Sequence, residues 1–174
     1  MTLDRAQSVA IKTPRLFIRP VTEGDLADIY AIHSVEEVNR HIPYQTWKTM
    51  EDAKAWLAMI RERQLKQEAG QFVISNNNGV IGTIIIFNYH TESGCLEIGY
   101  VLAQSVWRQG YMKEALDAFI PRIVELLALS EIKATVESEN QSSGGLLISL
   151  GFTLESKRVE ADGTEVRLFR KTTT

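Results

Sequence analysis

The chain has a single cysteine, Cys95, among its 174 residues, so no intramolecular disulfide can brace it. An isolated thiol suits a reducing compartment, and a cytoplasmic setting is expected. Histidine is scarce as well: His33, His41 and His90 share no metal-ligand spacing with one another or with Cys95, which argues against a zinc site. Neither sign of charge dominates. The formal net charge is −3, without the basic excess that nucleic acid requires, and it tilts slightly towards cationic or amine substrates. Long apolar runs are missing too. The longest, Val80 to Phe87, is broken by Gly82 and Thr83, and residues 1–12 hold no leader-like apolar stretch. Neither a membrane span nor a secretory leader is expected.

What is present is an ordinary globular composition, 44% apolar and 24% charged, sufficient for one domain with a real core. Residues 1–13 read as a flexible arm and residues 14–171 as a single domain. Arg15 to Arg19 alternates as a first strand, closed by Pro20, which lacks a backbone donor. Thr22 with Asp25, and Thr49 with Asp52, are capping-box pairs that open two helices. The second of these helices carries Ala53, Trp56, Leu57 and Ile60 on one face. Between them, residues 34–48 have no sustained period and read as a loop with one helical turn. Gln71 to Ser75 and Val80 to Phe87 flank Asn76-Asn77-Asn78-Gly79, a hairpin turn whose residues tolerate positive φ. Cys95 to Leu102 is a further strand.

After Gly110 an amphipathic helix places Ala115, Leu116, Phe119, Ile120, Ile123, Val124 and Leu127 on one stripe, with a kink expected at Pro121. Ile132 to Glu137 is a strand, and Leu146, Leu147 and Leu150 mark a short helix stopped by Gly151. Phe152 to Val159 and Glu165 to Lys171 form a last hairpin around Asp162-Gly163. The order β-α-α-β-β-β-α-β-α-β-β predicts a mixed α/β (α+β) sheet with helices on both faces.

The segment EIGYVLAQSVWRQGYMKEAL, residues 97–116, runs from a buried strand through Arg108-Gln109-Gly110 into that amphipathic helix with no acidic residue in the turn. A helix N-terminus presents unpaired N–H groups and the positive end of the dipole, and a glycine lets a bulky anion reach the backbone. The pattern points to a phosphate cradle formed by the main chain of Arg108, Gln109, Gly110, Tyr111 and Met112. Arg108 would add a charge-assisted bond.

TPRLFIRPV near the start, EIGYVL before the turn, WRQGYMKEAL at the turn, and Asn140-x-x-Ser143 followed by LGF resemble the GNAT superfamily of acetyl-CoA-dependent N-acetyltransferases. Within it they are similar to the RimJ/RimL-type ribosomal-protein N-terminal acetyltransferases. The family's pyrophosphate loop, Q/R-x-x-G-x-G/A, falls on Trp107 to Met112, with Trp at the first position and Met at the last. The resemblance implies a mostly antiparallel sheet of six to seven strands with one splayed pair. In the gap, the pantetheine arm of acetyl-CoA would pair with the backbone of Tyr100, Val101 and Leu102 and be held by Asn140. It also implies that Glu97 takes the amine proton, directly or through water, and that Ser143 protonates the departing thiolate.

Each of these residues has a structural alternative: an ion pair for Glu97, helix capping for Asn140 and Ser143. Many relatives place a tyrosine three residues before the LGF leucine; here that position is Leu147, so another group must act as acid. Glu160, beside Lys157 and Arg158 near the last turn, is a second acid candidate or a solvated charge. Cys95 reads as structural, because nothing near it in sequence would lower its pKa. Gly144-Gly145 burdens its helix by about 1 kcal/mol per glycine relative to alanine.

By the same resemblance His41, Tyr44 and Trp47 line the acceptor side, although rings in a loop also form packing clusters. The implied acceptor is a primary amine, a protein N-terminus such as that of a ribosomal protein or a small molecule, attacked upon in a ternary complex. A small-molecule acetyltransferase and a non-catalytic acyl-CoA binder are the competing readings, in a chain expected to be a monomer or homodimer.

Overall fold

The computed structural model describes residues 2–43 and 45–173. Its centre is one eight-stranded sheet with the spatial order β1-β2-β3-β4-β5-β6-β8-β7. The strands are β1 (Ile11–Lys12), β2 (Phe17–Pro20), β3 (Ala69–Asn76), β4 (Gly79–His90), β5 (Cys95–Leu102), β6 (Glu131–Glu137), β7 (Thr153–Val159) and β8 (Glu165–Thr172). Every neighbouring pair is antiparallel except β5 and β6.

The helices are α1 (Leu26–His33), α2 (Glu36–Asn39), α3 (Met50–Leu65), α4 (Tyr111–Leu127) and α5 (Gln141–Ser149). Both expected capping boxes are in place, the first opening on a short 3-10 turn ahead of α1 and the second on α3. The four-residue α2 is the helical turn expected inside residues 34–48. Helix α4 runs through Pro121 as one element. At the end of α5, Gly151 takes φ +86° and Phe152 N–H donates to the Leu147 carbonyl at 3.0 Å, the glycine C-cap that the sequence indicates. Among the described residues no helix is long and apolar enough to cross a membrane.

The sheet divides two cores. On one face Ile84, Ile86, Leu96, Ile98, Ile132 and Ala134 pack against Leu116, Phe119 and Ile123 of α4 and Leu147 of α5. On the other, Val73 and Ile85 pack against Ile29 of α1, Trp56, Leu57 and Ile60 of α3, and Trp47.

One expectation is corrected here. Residues 1–13 are not a flexible arm: Leu3–Ser8 forms a 3-10 turn, and β1 adds an eighth strand to the sheet. Leu3, Ala6 and Val9 are buried to 3%, 0% and 2% exposure in the α4-side core. The spacing of Leu3 and Ala6 matches the three residues per turn of a 3-10 helix, which puts both on one side, and Val9 follows at the extended C-cap.

The feature that positions the site is the parting of β5 from β6. Their parallel register runs Cys95 with Glu131, Leu96 with Ile132 and Glu97 with Lys133, and then stops. β5 nevertheless continues to Leu102, held by β4, and β6 to Glu137, held by β8. A wedge-shaped slot therefore opens in the sheet beyond Glu97. Side chains alternate across each strand. Leu96, Ile98 and Tyr100 face α4 and α5, whereas Glu97, Gly99, Lys133, Thr135 and Glu137 face the opposite side.

Candidate active site

The turn into α4 sits at the open end of β5. Gly110 is the N-cap of α4 with φ +78°, and Arg108 also has a positive φ, +61°. A left-handed glycine at a helix start turns successive N–H groups to one side, the arrangement that receives an anion. Arg108, Gln109 and Gly110 are exposed, and among the described residues Arg108 makes no ion pair. Tyr111 is half-buried, and Met112 buries its side chain in the core. Trp107, where the family has Gln or Arg, donates its indole N–H to the Leu102 carbonyl at 2.8 Å and pins the loop to the end of β5.

A second support was not legible in the sequence. Arg15 donates from Nε to Glu114 Oε2 at 2.6 Å and from Nη1 to the Gln109 carbonyl at 3.0 Å. Its guanidinium lies 4.1 Å from the centre of the Tyr111 ring. Thr13 Oγ1 donates to Glu114 Oε1 at 2.6 Å. The Thr13-Pro14-Arg15 segment thus clamps the loop and holds the Gln109 carbonyl turned towards Arg15.

Inside the slot the strand geometry decides which main-chain groups are available. Ala103 N–H donates to the Ile81 carbonyl, and hydrogen-bonding direction alternates along an antiparallel strand. Val101 therefore turns its main chain to β4; its carbonyl lies 2.6 Å from where a Cβ on Gly82 would stand. This corrects the expectation that Val101 pairs with the pantetheine arm. Tyr100 and Leu102 point their main-chain groups into the slot, although the Leu102 carbonyl already accepts from Trp107.

Asn140 is the N-cap of α5: its side-chain oxygen accepts from Ser143 N–H at 3.2 Å. Ser143 is therefore not the cap, and its hydroxyl is directed elsewhere. Ser143 Oγ lies 2.6 Å from the Tyr100 hydroxyl. Burial pushes the Tyr100 phenol up to about 12, an effect that its bond to Ser143 only partly opposes. Leu147, one turn beyond Ser143, is fully buried in the core. Tyr100 thus brings a phenol from β5 against α5, one turn before Leu147. No spacing in the sequence links residues 100 and 143, which is why only the fold reveals the pair.

Gly144 also finds its reason here. A Cβ on it would stand 2.6 Å from Nη2 of Arg167, whose guanidinium donates to the Asn140 carbonyl at 3.1 Å. Gly145 meets nothing within 4 Å.

On the opposite face, Glu97 is half-buried and accepts a hydrogen bond from Asn88 Nδ2 at 3.0 Å. Its register neighbour Lys133 turns to Glu131 instead, at 3.3 Å, so the ion-pair alternative for Glu97 is not realised among the described residues. Thr135 Oγ1, farther up β6 on that face, is buried without a partner. His41 reaches the end of β6, where its Nδ1 lies 2.8 Å from Glu137 Oε2.

The other acceptor-side residues fare differently. Trp47 is 8% exposed and packs between His33, at 4.5 Å, and Trp56, at 5.8 Å. It belongs to the α3-side core and is not a substrate contact, because a flat indole buries more apolar surface there than an open loop could offer it. Tyr44 lies outside the described residues. Glu160 is half-exposed and paired with Arg158 at 3.0 Å. Burial, followed by the neighbouring Glu131 carboxylate, raises the Cys95 thiol, as suits a structural cysteine.

The acetyltransferase (GNAT) domain family matches residues 15–153, and the chain belongs to it. The N-acetyltransferase p20 of Bacillus licheniformis, itself uncharacterised, is 31% identical over 145 residues, covering 82% of each chain. Among solved structures, the Salmonella typhimurium acetyltransferase that modifies the N-terminal serine of ribosomal protein L7/L12 superposes with a TM-score of 0.84 at 17% identity. That match covers 95% of this chain and 100% of the other. The Vibrio cholerae spermidine N-acetyltransferase, solved with CoA and spermine, gives 0.79 at 15% identity over 92% and 96%. This chain is accordingly an acetyl-CoA-dependent N-acetyltransferase.

Proposed function

We propose that the chain transfers the acetyl group of acetyl-CoA to the α-amine of a polypeptide, by direct attack within a ternary complex. The observation that carries this reading is the slot beyond Glu97 and Lys133, with the Tyr100–Ser143 hydroxyl pair on one face and Glu97 on the other. The cradle at Arg108 to Met112 suits the diphosphate of acetyl-CoA, since Gly110 offers no side chain to block its approach. Tyr100 main-chain groups and the Asn140 side-chain amide suit the pantetheine arm.

The chemistry follows from those positions. The amine must attack as a neutral nucleophile, and the sulfur must leave with its charge stabilised. Tyr100 stays protonated at neutral pH, and either hydroxyl can donate across the 2.6 Å contact; with Tyr100 as the donor, the Ser143 hydrogen is left for the departing sulfur. Glu97 accepts, through water, the proton that leaves nitrogen once the new C–N bond forms. Ser143→Ala is expected to lower kcat by about a hundredfold, the low end for acid–base assistance, with the acetyl-CoA KM little changed. Tyr100→Phe is expected to do the same, and the double variant to lose little more, because the two hydroxyls act as one unit. Steady-state kinetics on the three variants checks this; independent, multiplying losses would contradict it.

The acceptor follows from basicity and charge. An α-amine has a pKa near 8, about two units below a lysine or polyamine amine, so modest base assistance suffices. On the acceptor face Glu97 is taken by Asn88, Glu137 by His41, and Glu131 by Lys133 and Arg170. Such engaged carboxylates suit a single amine better than a polycation. The same reading carries a cytoplasmic setting and a monomer or homodimer, with a ribosomal-protein N-terminus among the acceptors. Initial rates of thiol release test it with three amines: a peptide with a free N-terminus, the same peptide Nα-blocked but bearing lysine, and spermidine. The free N-terminus is expected to give the highest kcat/KM. Spermidine fastest would make the chain a small-molecule acetyltransferase.

A further inference from the structure

We propose that His41, held by Glu137, takes the first proton from the incoming ammonium group at the acceptor mouth. This inference rests on the amine-acetylation reading above. An ammonium group and a thioester give an amide, a thiol and one free proton, so nitrogen loses two protons in the reaction. The first must leave before attack, to free the lone pair that forms the C–N bond. The second leaves nitrogen after that bond forms and balances the sulfur, which departs with the C–S electron pair. Glu97, three residues before Tyr100 on β5, receives the second through intervening water. The first requires a basic group at the mouth with access to water.

His41 meets that requirement. A carboxylate only accepts hydrogen bonds, so the 2.8 Å contact to Glu137 fixes the proton on Nδ1 and leaves Nε2 as the basic nitrogen. Among the described residues Nε2 has no partner. The His41 and Glu137 side chains are 23% and 30% exposed, enclosed enough to be oriented and open enough to hand a proton to solvent. The loop that carries His41 is fixed at its base. Asn39 Nδ2 donates to the His33 carbonyl at 2.6 Å, Trp47 N–H donates to it at 3.0 Å, and Ile42 N–H donates to the Asn39 carbonyl at 3.2 Å.

Position along the slot also favours His41. Glu97 and Lys133 are level, so Glu137 stands four residues farther, about 13 Å along β6, level with the end of β5 near Tyr100. The Tyr100–Ser143 pair marks the sulfur, and the attacking nitrogen must lie within a few ångströms of it. Thr135 Oγ1, buried and unpartnered two residues before Glu137 on the same face, offers a polar contact for substrate there. The neighbouring charged groups are otherwise occupied. Glu37 pairs with Arg40 at 2.9 Å, Lys133 with Glu131 at 3.3 Å, and Glu97 accepts from Asn88; Glu139 lies in the turn after β6.

The test is kcat/KM for the α-amine peptide across the pH range on both sides of its own ionisation, near pH 8. His41→Gln is expected to lose up to about tenfold at neutral pH, where about one amine in ten is already neutral, and to recover towards wild type at high pH, where the amine arrives neutral. Glu137→Gln is expected to show a smaller loss, about threefold, with the same recovery, because it removes the group that orients the ring. Glu97→Gln is expected to show no such recovery. A loss of equal size at every pH, or no loss at neutral pH, in either the His41 or the Glu137 variant overturns the proposal. Wild-type protein that releases no thiol with any amine at any pH overturns the amine-acetylation reading as well.

Discussion

Gly110→Val is expected to weaken CoA binding by about a hundredfold or more in a chain that still folds. Valine cannot hold the +78° φ of this N-cap without strain of about 1–3 kcal/mol, so residues 108–110 must refold. The turn is exposed, and Arg15 still ties α4 to the first strands through Glu114, so the cost to the fold stays local. The loss in binding is larger than the loss in stability. Backbone N–H groups that converge on an anion contribute about 1.5–3 kcal/mol each, and turning one or two of them away accounts for a hundredfold. A Cβ there would also stand 3.6 Å from Arg15 Nη2, so the branched side chain presses on the clamp. Calorimetric titration with CoA beside a thermal melt reads both effects. A folded variant with unchanged CoA affinity would remove the cradle from the site.

Glu97→Gln carries the next largest effect, an expected fall in kcat of about 10²–10³-fold with the acetyl-CoA KM nearly constant. Glutamine preserves the shape and can still accept from Asn88 Nδ2 through its amide oxygen, so the β4–β5 ladder has no reason to change. What disappears is the ability to take a proton from nitrogen. Rate and stability separate the two roles: a lowered melting temperature with wild-type turnover would make Glu97 a structural carboxylate.

Much of the fold was legible because local signals and tertiary packing agree. The strand alternation, the two capping boxes, the Asn-rich turn before Gly79 and the Gly151 C-cap are all formed as the residues indicate. The first thirteen residues show no α or β period, because Leu3, Ala6 and Val9 recur every third residue. The left-handed turn into α4 was legible for the same local reason, a glycine between strand and helix. The rest of the site depends on contacts between distant segments. Arg15 clamps a loop nearly a hundred positions away, and Tyr100 completes a helix that begins at Gln141. Gly144 is explained only by Arg167, from the last strand. Trp47 shows the converse: an aromatic ring in a loop segment is as ready to fill a core as to touch a substrate, and here it fills the core.

A single-turnover experiment tests direct transfer within the slot most directly. Enzyme in excess over acetyl-CoA is mixed with or without a peptide bearing a free N-terminus, quenched, and followed by free thiol and by the intact masses of protein and peptide. Direct attack predicts no thiol release and no acetyl group on the protein while the peptide is absent. With the peptide present, one thiol should appear for each acetylated N-terminus. An acetyl group on the protein before peptide is added, at Cys95 or elsewhere, would contradict direct transfer, and CoA binding without thiol release would contradict catalysis.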